Sequence, residues 1–140
     1  MSSAVVYKQF ITSPQFAVVG ASTSRAKYGN KVLRWYQDNG LKVVPVHPKE
    51  GEIEGLTTVT SIDQLTLPEE TAVSVITPPK VTLGVLEACK KLGVSKIWLQ
   101  PGAEDSDVLK YAKEAGLDVI AGGPCILVQG PGLLAERGKL

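Results

Sequence analysis

Leu92-Gly93-Val94-Ser95-Lys96-Ile97-Trp98-Leu99 holds a helix stop and a strand start side by side. Apolar residues spaced by three and four lead up to Leu92, and a glycine placed just past such a run takes the left-handed backbone that satisfies the last helical carbonyls. The residues after it are apolar and short in extent, as in a buried strand. The same joint recurs at Asn39-Gly40-Leu41-Lys42-Val43 and at Ala115-Gly116-Leu117-Asp118-Val119. Three such joints predict a chain that alternates strand and helix.

On this pattern strands are expected over 16–19, 43–46, 72–76, 96–99 and 119–121, apolar on both faces as in a parallel sheet covered on each side. Helical period appears in Val32 and Tyr36, in Val81, Val85, Ala88 and Leu92, and in Val108, Ala112 and Ala115. Glu104, Asp105 and Asp107 open the last of these helices, where the positive end of the helix dipole favours acids. The expected fold is α/β, a three-layer, Rossmann-like, doubly wound parallel sheet of about five strands, forming a single domain over 1–140. Within it, 1–14 forms a covering segment with Tyr7, Phe10 and Ile11 on a short helix. Residues 49–70 give a short irregular strand and one helical turn, Gly122-Gly123-Pro124 breaks the pattern, and 122–140 form a tail, Ile126-Leu127-Val128 followed by Gly130-Pro131-Gly132, that packs back on the domain. Trp98 and Cys89, inside apolar runs, read as core.

Composition excludes several functions. Fifteen Lys and Arg against fourteen Asp and Glu leave a net charge of +1, so no global field collects nucleic acid or an acidic membrane. One His and two Cys, without Cys-x-x-Cys or His-x-x-x-His spacing, argue against metal, and no nucleophile turn is present for hydrolysis. Two distant cysteines, no signal-like N-terminus and no long apolar run read as a soluble, cytoplasmic protein.

The chemistry concentrates in the first βα turn, Val18-Val19-Gly20-Ala21-Ser22-Thr23-Ser24-Arg25-Ala26-Lys27-Tyr28-Gly29-Asn30. In a doubly wound sheet this puts backbone amides, the Ser22 and Thr23 hydroxyls and a helix N-terminus at one point, with Arg25 and Lys27 beside it: a phosphate-binding arrangement. A plain solvated turn is the bland alternative. Gly-x-Gly-x-x-Gly would need glycine where Ser22 and Arg25 stand. The second strand ends Val44-Pro45-Val46-His47-Pro48-Lys49, without the acid an NAD protein uses on ribose. An NAD(P)-binding oxidoreductase or redox sensor is therefore the second reading. A Pro-flanked strand end with Lys49 offers an apolar shelf and a cation for a further phosphate.

These motifs resemble the small coenzyme A-binding domain proteins, relatives of the N-terminal domain of the succinyl-CoA ligase α subunit. The resemblance runs from about Phe16 to Val128. It is carried by 18–22, by Lys27-Tyr-Gly-Asn-Lys-Val, by 44–49 with Ile53-Glu-Gly55, by Ile76-Thr-Pro-Pro79, by Ile97-Trp-Leu-Gln-Pro-Gly102 and by Pro124-Cys125. His47, where the family more often has Asn, and the chain after Val128 depart from the pattern.

The resemblance implies coenzyme A or an acyl-CoA as ligand. Gly20, Ala21 and Ser22, with Lys27, Tyr28, Gly29 and Asn30 at the helix start, are expected around the pyrophosphate. Pro45, His47, Pro48 and Lys49 are expected to border the adenine and 3′-phosphate, and Thr77, Pro78 and Pro79 to line the opposite wall. Pro78-Pro79 also suits a plain helix start. Gln100 is expected on the pantetheine side or in a bland turn, and Cys125 near the coenzyme thiol or inert. No autonomous catalysis is expected, because the phosphohistidine of such ligases lies in a further domain. A homo-oligomer or a protein partner is the third reading.

Overall fold

The three joints are built as their glycines require: φ is 69° at Gly40, 80° at Gly93 and 72° at Gly116. The computed structural model describes residues 3–49 and 51–138. Its elements are α1 (Ser3–Ile11), β1 (Gln15–Val19), α2 (Tyr28–Asp38), β2 (Val43–Val46), β3 (Glu52–Ile53), β4 (Leu56–Thr57), β5 (Thr71–Val75), α3 (Pro79–Leu92), β6 (Lys96–Leu99), α4 (Ser106–Glu114), β7 (Val119–Ile120) and α5 (Ile126–Arg137).

The main sheet is wholly parallel in the order β2-β1-β5-β6-β7. Beyond β2 lies one more parallel bridge, Val46 to Val59. The His47 amide donates to the Val59 carbonyl at 2.9 Å, and the Val59 amide to the Pro45 carbonyl at 3.1 Å. With that stub counted, the sheet follows the Rossmann order, its third strand reduced to one residue pair. The chain leaves β1 in one direction and returns at β5 on the other side, so the winding reverses between them. A crevice opens at the carboxyl ends of strands where that happens.

Period-two alternation divides the core. Ala17 and Val19, Val73 and Val75, and Ile97 and Leu99 point to α3 and α4, meeting Leu86, Cys89, Val108 and Ala112. Phe16 and Val18, Ala72 and Trp98 point the other way, to Phe10 of α1, Val32, Leu33 and Tyr36 of α2, and Ile126 of α5. Trp98 is fully buried, takes the edges of Tyr7 and Phe10 at 5.3 Å, and donates its indole N–H to the Pro124 carbonyl at 2.9 Å. A buried indole is stable only with such a partner.

Three expectations change. On α3 the buried stripe is Thr82, Leu86 and Cys89, whereas Val81 is 52% exposed. Val85, Ala88 and Leu92 pack partly buried against the same core, so of the expected set only Val81 stands clear of it. The C-terminal segment is a helix despite Gly-Pro-Gly, with Pro131 inside it. A proline there deprives the Leu127 carbonyl of its partner. Packing holds the helix regardless: Ile126 is fully buried, and a Cβ at Gly130 would overlap the Trp35 ring. Among residues 51–70, β3 and β4 form an antiparallel hairpin, followed by the Val59 stub and 3-10 turns at Ile62–Gln64 and Pro68–Glu70.

Candidate functional site

Gly20 ends β1 with φ 94°, and a Cβ there would stand 2.7 Å from the Ile76 carbonyl oxygen. Gly29 lies so close to Gly20 that its own Cβ would overlap the Gly20 carbonyl. Two missing side chains thus let the end of β1, the start of α2 and the end of β5 converge. At that point opens a cleft of about 840 Å³, within the usual range for small-ligand sites.

Of the residues named from sequence, Gly20, Ala21, Ser22, Lys27, Tyr28, Gly29, His47, Pro48, Thr77 and Pro78 line this cleft. The turn is held by its own bonds: Ser22 Oγ accepts the Ser24 amide at 3.1 Å. Asn30 is fully buried, and its side chain is used internally. Its Nδ2 donates to the Ser22 carbonyl at 2.8 Å and to Glu54 Oε2 at 3.2 Å, while Oδ1 accepts from Arg34 Nε at 2.7 Å. Asn30 is a strut of the turn, not an arm into the cleft. Arg25 pairs with Glu54 at 3.5 Å, which ties the β3–β4 hairpin to the same turn.

At the second strand's end, Val46, His47 and Pro48 face the cleft. Pro45 is outside the lining because alternation along β2 turns its ring away from the side that Val46 faces. His47 Nδ1 accepts the Lys49 amide at 3.0 Å, so the neutral ring carries its proton on Nε2. Lys49 is exposed beyond the lining, and Pro79 also falls outside it, as the first residue of α3. Thr77 shares a 2.7 Å hydroxyl bond with Thr82, stiffening the β5–α3 turn.

Gln100 and Cys125 stand behind the wall. Both meet the Tyr28 hydroxyl, Gln100 Oε1 at 3.0 Å and Cys125 Sγ at 2.6 Å. Burial first, and then the bond to Cys125, push the Tyr28 phenol well above its ordinary pKa, so it stays neutral.

The cleft also contains residues that sequence reasoning did not assign to it. Thr60, Ser61 and Ile62 form one rim, and Val81, Gly84, Val85 and Ala88 form an aliphatic wall. The i, i+3, i+4, i+7 period of that wall was legible in the sequence, but was read as core. Its glycine and its one-residue offset from Thr82, Leu86 and Cys89 are the signals that separate the stripes. The lining thus combines hydroxyls, Lys27, His47 and the N-termini of α2 and α3 with an aliphatic face, and among the described residues it contains no carboxylate. Such a surface suits an anion joined to an apolar arm.

Among the described residues there is no cluster of metal-binding side chains, and no helix is long and apolar enough to cross a membrane. Comparison with known proteins matches residues 14–131 to the family described as CoA binding domain. An ADP-forming acetate–CoA ligase of Methanocaldococcus jannaschii is 30% identical over 128 residues, covering 90% of this chain; the match spans only 18% of the ligase. A conserved hypothetical protein of Pyrococcus furiosus superposes with a TM-score of 0.77 at 37% identity, over 82% of this chain and 97% of that one. The dinucleotide-forming acetyl-coenzyme A synthetase 1 of Ca. Korarchaeum cryptofilum shares the fold at 23% identity and a TM-score of 0.64, over 81% of this chain and 26% of that one.

Proposed function

Because the chain belongs to the CoA-binding domain family, we propose that its cleft binds coenzyme A or an acyl-CoA and that it works as a binding module without catalysis of its own. The observation that carries this reading is the cationic and hydroxyl-rich lining, which among the described residues holds no carboxylate. A nicotinamide nucleotide is held by an acid on its ribose hydroxyls, at the position where His47 and Pro48 stand here. A lining with Lys27, His47, four Ser and Thr hydroxyls and two helix N-termini favours a ligand with several phosphates. In this reading the β1–α2 turn holds the pyrophosphate and Pro48 borders the base. From Val81 to Ala88, α3 offers about 10 Å of aliphatic surface for the pantetheine arm. The names of the ligase and synthetase relatives, each a protein of CoA chemistry, support the same coenzyme.

Isothermal titration with coenzyme A and with NAD tests the reading. Coenzyme A is expected to bind at least tenfold more tightly; equal affinities, or no binding of coenzyme A, would sink it. Incubation with acetyl-CoA is expected to release thiol no faster than a protein-free control, and sustained turnover would overturn the binding-only part.

A further inference from the structure

Gln100 follows β6, is fully buried, and bonds through both the oxygen and the nitrogen of its side chain. Oε1 accepts the Tyr28 hydroxyl at 3.0 Å and the Ile126 amide at 3.0 Å, while Nε2 donates to Ser74 Oγ at 3.4 Å. The Ile126 amide can only donate, so the atom it meets is the amide oxygen, and this orients the whole side chain. Ser74 Oγ in turn shares a 2.7 Å bond with the Tyr36 hydroxyl. A phenol has one proton, and Tyr28 gives it to Gln100; the 2.6 Å contact with Cys125 is then made by the thiol, donating to the phenol oxygen. The result is a directed chain from Cys125 through Tyr28 to Gln100, continued from Gln100 to Ser74, whose hydroxyl shares its bond with Tyr36. It joins α2, β5, β6 and α5 at one buried amide.

We propose that Gln100 is a positioning residue for the cleft: without touching a ligand, it fixes the Tyr28 ring in the cleft wall and ties that ring to the first turn of α5. Tyr28 is the first residue of α2, and the residue before it, Lys27, makes no side-chain cap. Asn30 ties the helix start to the turn and the Tyr28 ring packs partly buried against the core, so what its hydroxyl meets is what holds the outer edge of the ring. Gln100 offers two acceptor lone pairs and a donor on opposite sides of one rigid plane, which no apolar residue of its size reproduces. The consequence for ligand binding rests on the cleft being the ligand site.

The test has two arms. In the ligand-free protein labelled with 13C-tyrosine, the Tyr28 signal is assigned by its loss in Tyr28→Phe. Gln100→Met is expected to shift or broaden that signal and leave Tyr111 unmoved. Gln100→Glu, neutral when buried and able to supply the same two acceptors and one donor, is expected to keep it in place. An unmoved Tyr28 signal in Gln100→Met overturns the proposal.

In the second arm, coenzyme A is titrated into wild type, Gln100→Met, Tyr28→Phe and the double variant. Each single variant is expected to bind about tenfold more weakly, and the double variant no more weakly than either. Losses that multiply in the double variant overturn the proposal, because Gln100 would then act by a route other than Tyr28. Should wild type fail to bind coenzyme A, the functional reading falls, while the tyrosine spectra still decide the positioning role. Should Gln100→Met fail to fold, Gln100→Asn, which withdraws the amide by one methylene, is read in the same two ways.

Discussion

Among the described residues Lys27 is the one lysine or arginine lining the cleft, next to the N-terminus of α2, while Lys49 is exposed outside it. If both meet phosphates, their losses differ in kind. Lys27→Ala should weaken coenzyme A and dephospho-coenzyme A alike, by about fivefold to tenfold at low salt and less at high salt, since one charge-assisted bond is lost. Lys49→Ala should weaken coenzyme A more than dephospho-coenzyme A, because only the former carries a 3′-phosphate. Titration of both ligands against both variants checks this, and equal losses from Lys49→Ala would remove that residue from the site. A different effect governs Gly29. Its Cβ would overlap the Gly20 carbonyl, which is backbone and cannot swing aside. Gly29→Ala should therefore cost about 2–3 kcal/mol of stability, and thermal unfolding should show a fall of several degrees.

Among the elements, α5 carries the clearest conflict between local preference and packing. Pro131 is exposed within the helix and has no amide to offer the Leu127 carbonyl, while Gly130 is needed where the helix meets Trp35. Pro131→Ala should restore the bond without disturbing that contact, raising stability by about 1–3 kcal/mol, and thermal unfolding with helical circular dichroism would register both changes. A variant no more stable than wild type would mean that the proline is matched to a bend that packing imposes. The same conflict explains what could be read in advance. The strands and the three glycine joints were legible because backbone conformation and period are local properties. The helix over Gly130-Pro131-Gly132 was not, because Trp35, nearly a hundred residues earlier, holds it. Nor did sequence separate the cleft wall of Val81, Val85 and Ala88 from the core stripe of Thr82, Leu86 and Cys89, since both have helical period and only the sheet decides between them. Gly20, Ser22 and Lys27 were found because a phosphate turn is contiguous in sequence. Asn30 and Gln100 were named with them, but their burial and internal bonds are tertiary facts.

Across the molecule, three of the described residues are buried or partly buried acids that stay protonated in the fold. Burial pushes the Cys89 thiol from 9.0 up to about 12 and drives the Tyr36 and Tyr28 phenols up as well. The unfolded chain releases these protons at ordinary values, so above that point the native state binds more protons than the unfolded one, and stability falls as pH rises. For Cys89 the contribution is fully present below pH 9 and is lost progressively toward about pH 12. Each unit in that window removes about 1.4 kcal/mol for the thiol alone. Urea unfolding at pH 8, 9.5 and 11 should therefore show a steep alkaline decline. Cys89→Ala should start lower at pH 8, because a buried sulfur is replaced by a small cavity, yet decline less steeply, so that the two curves converge. Tyr36→Phe should flatten the decline further by removing a second retained proton, after losing its bond to Ser74 at neutral pH. Parallel curves for wild type and Cys89→Ala would show that this thiol does not carry the pH dependence, and the loss of stability would then have to come from the phenols.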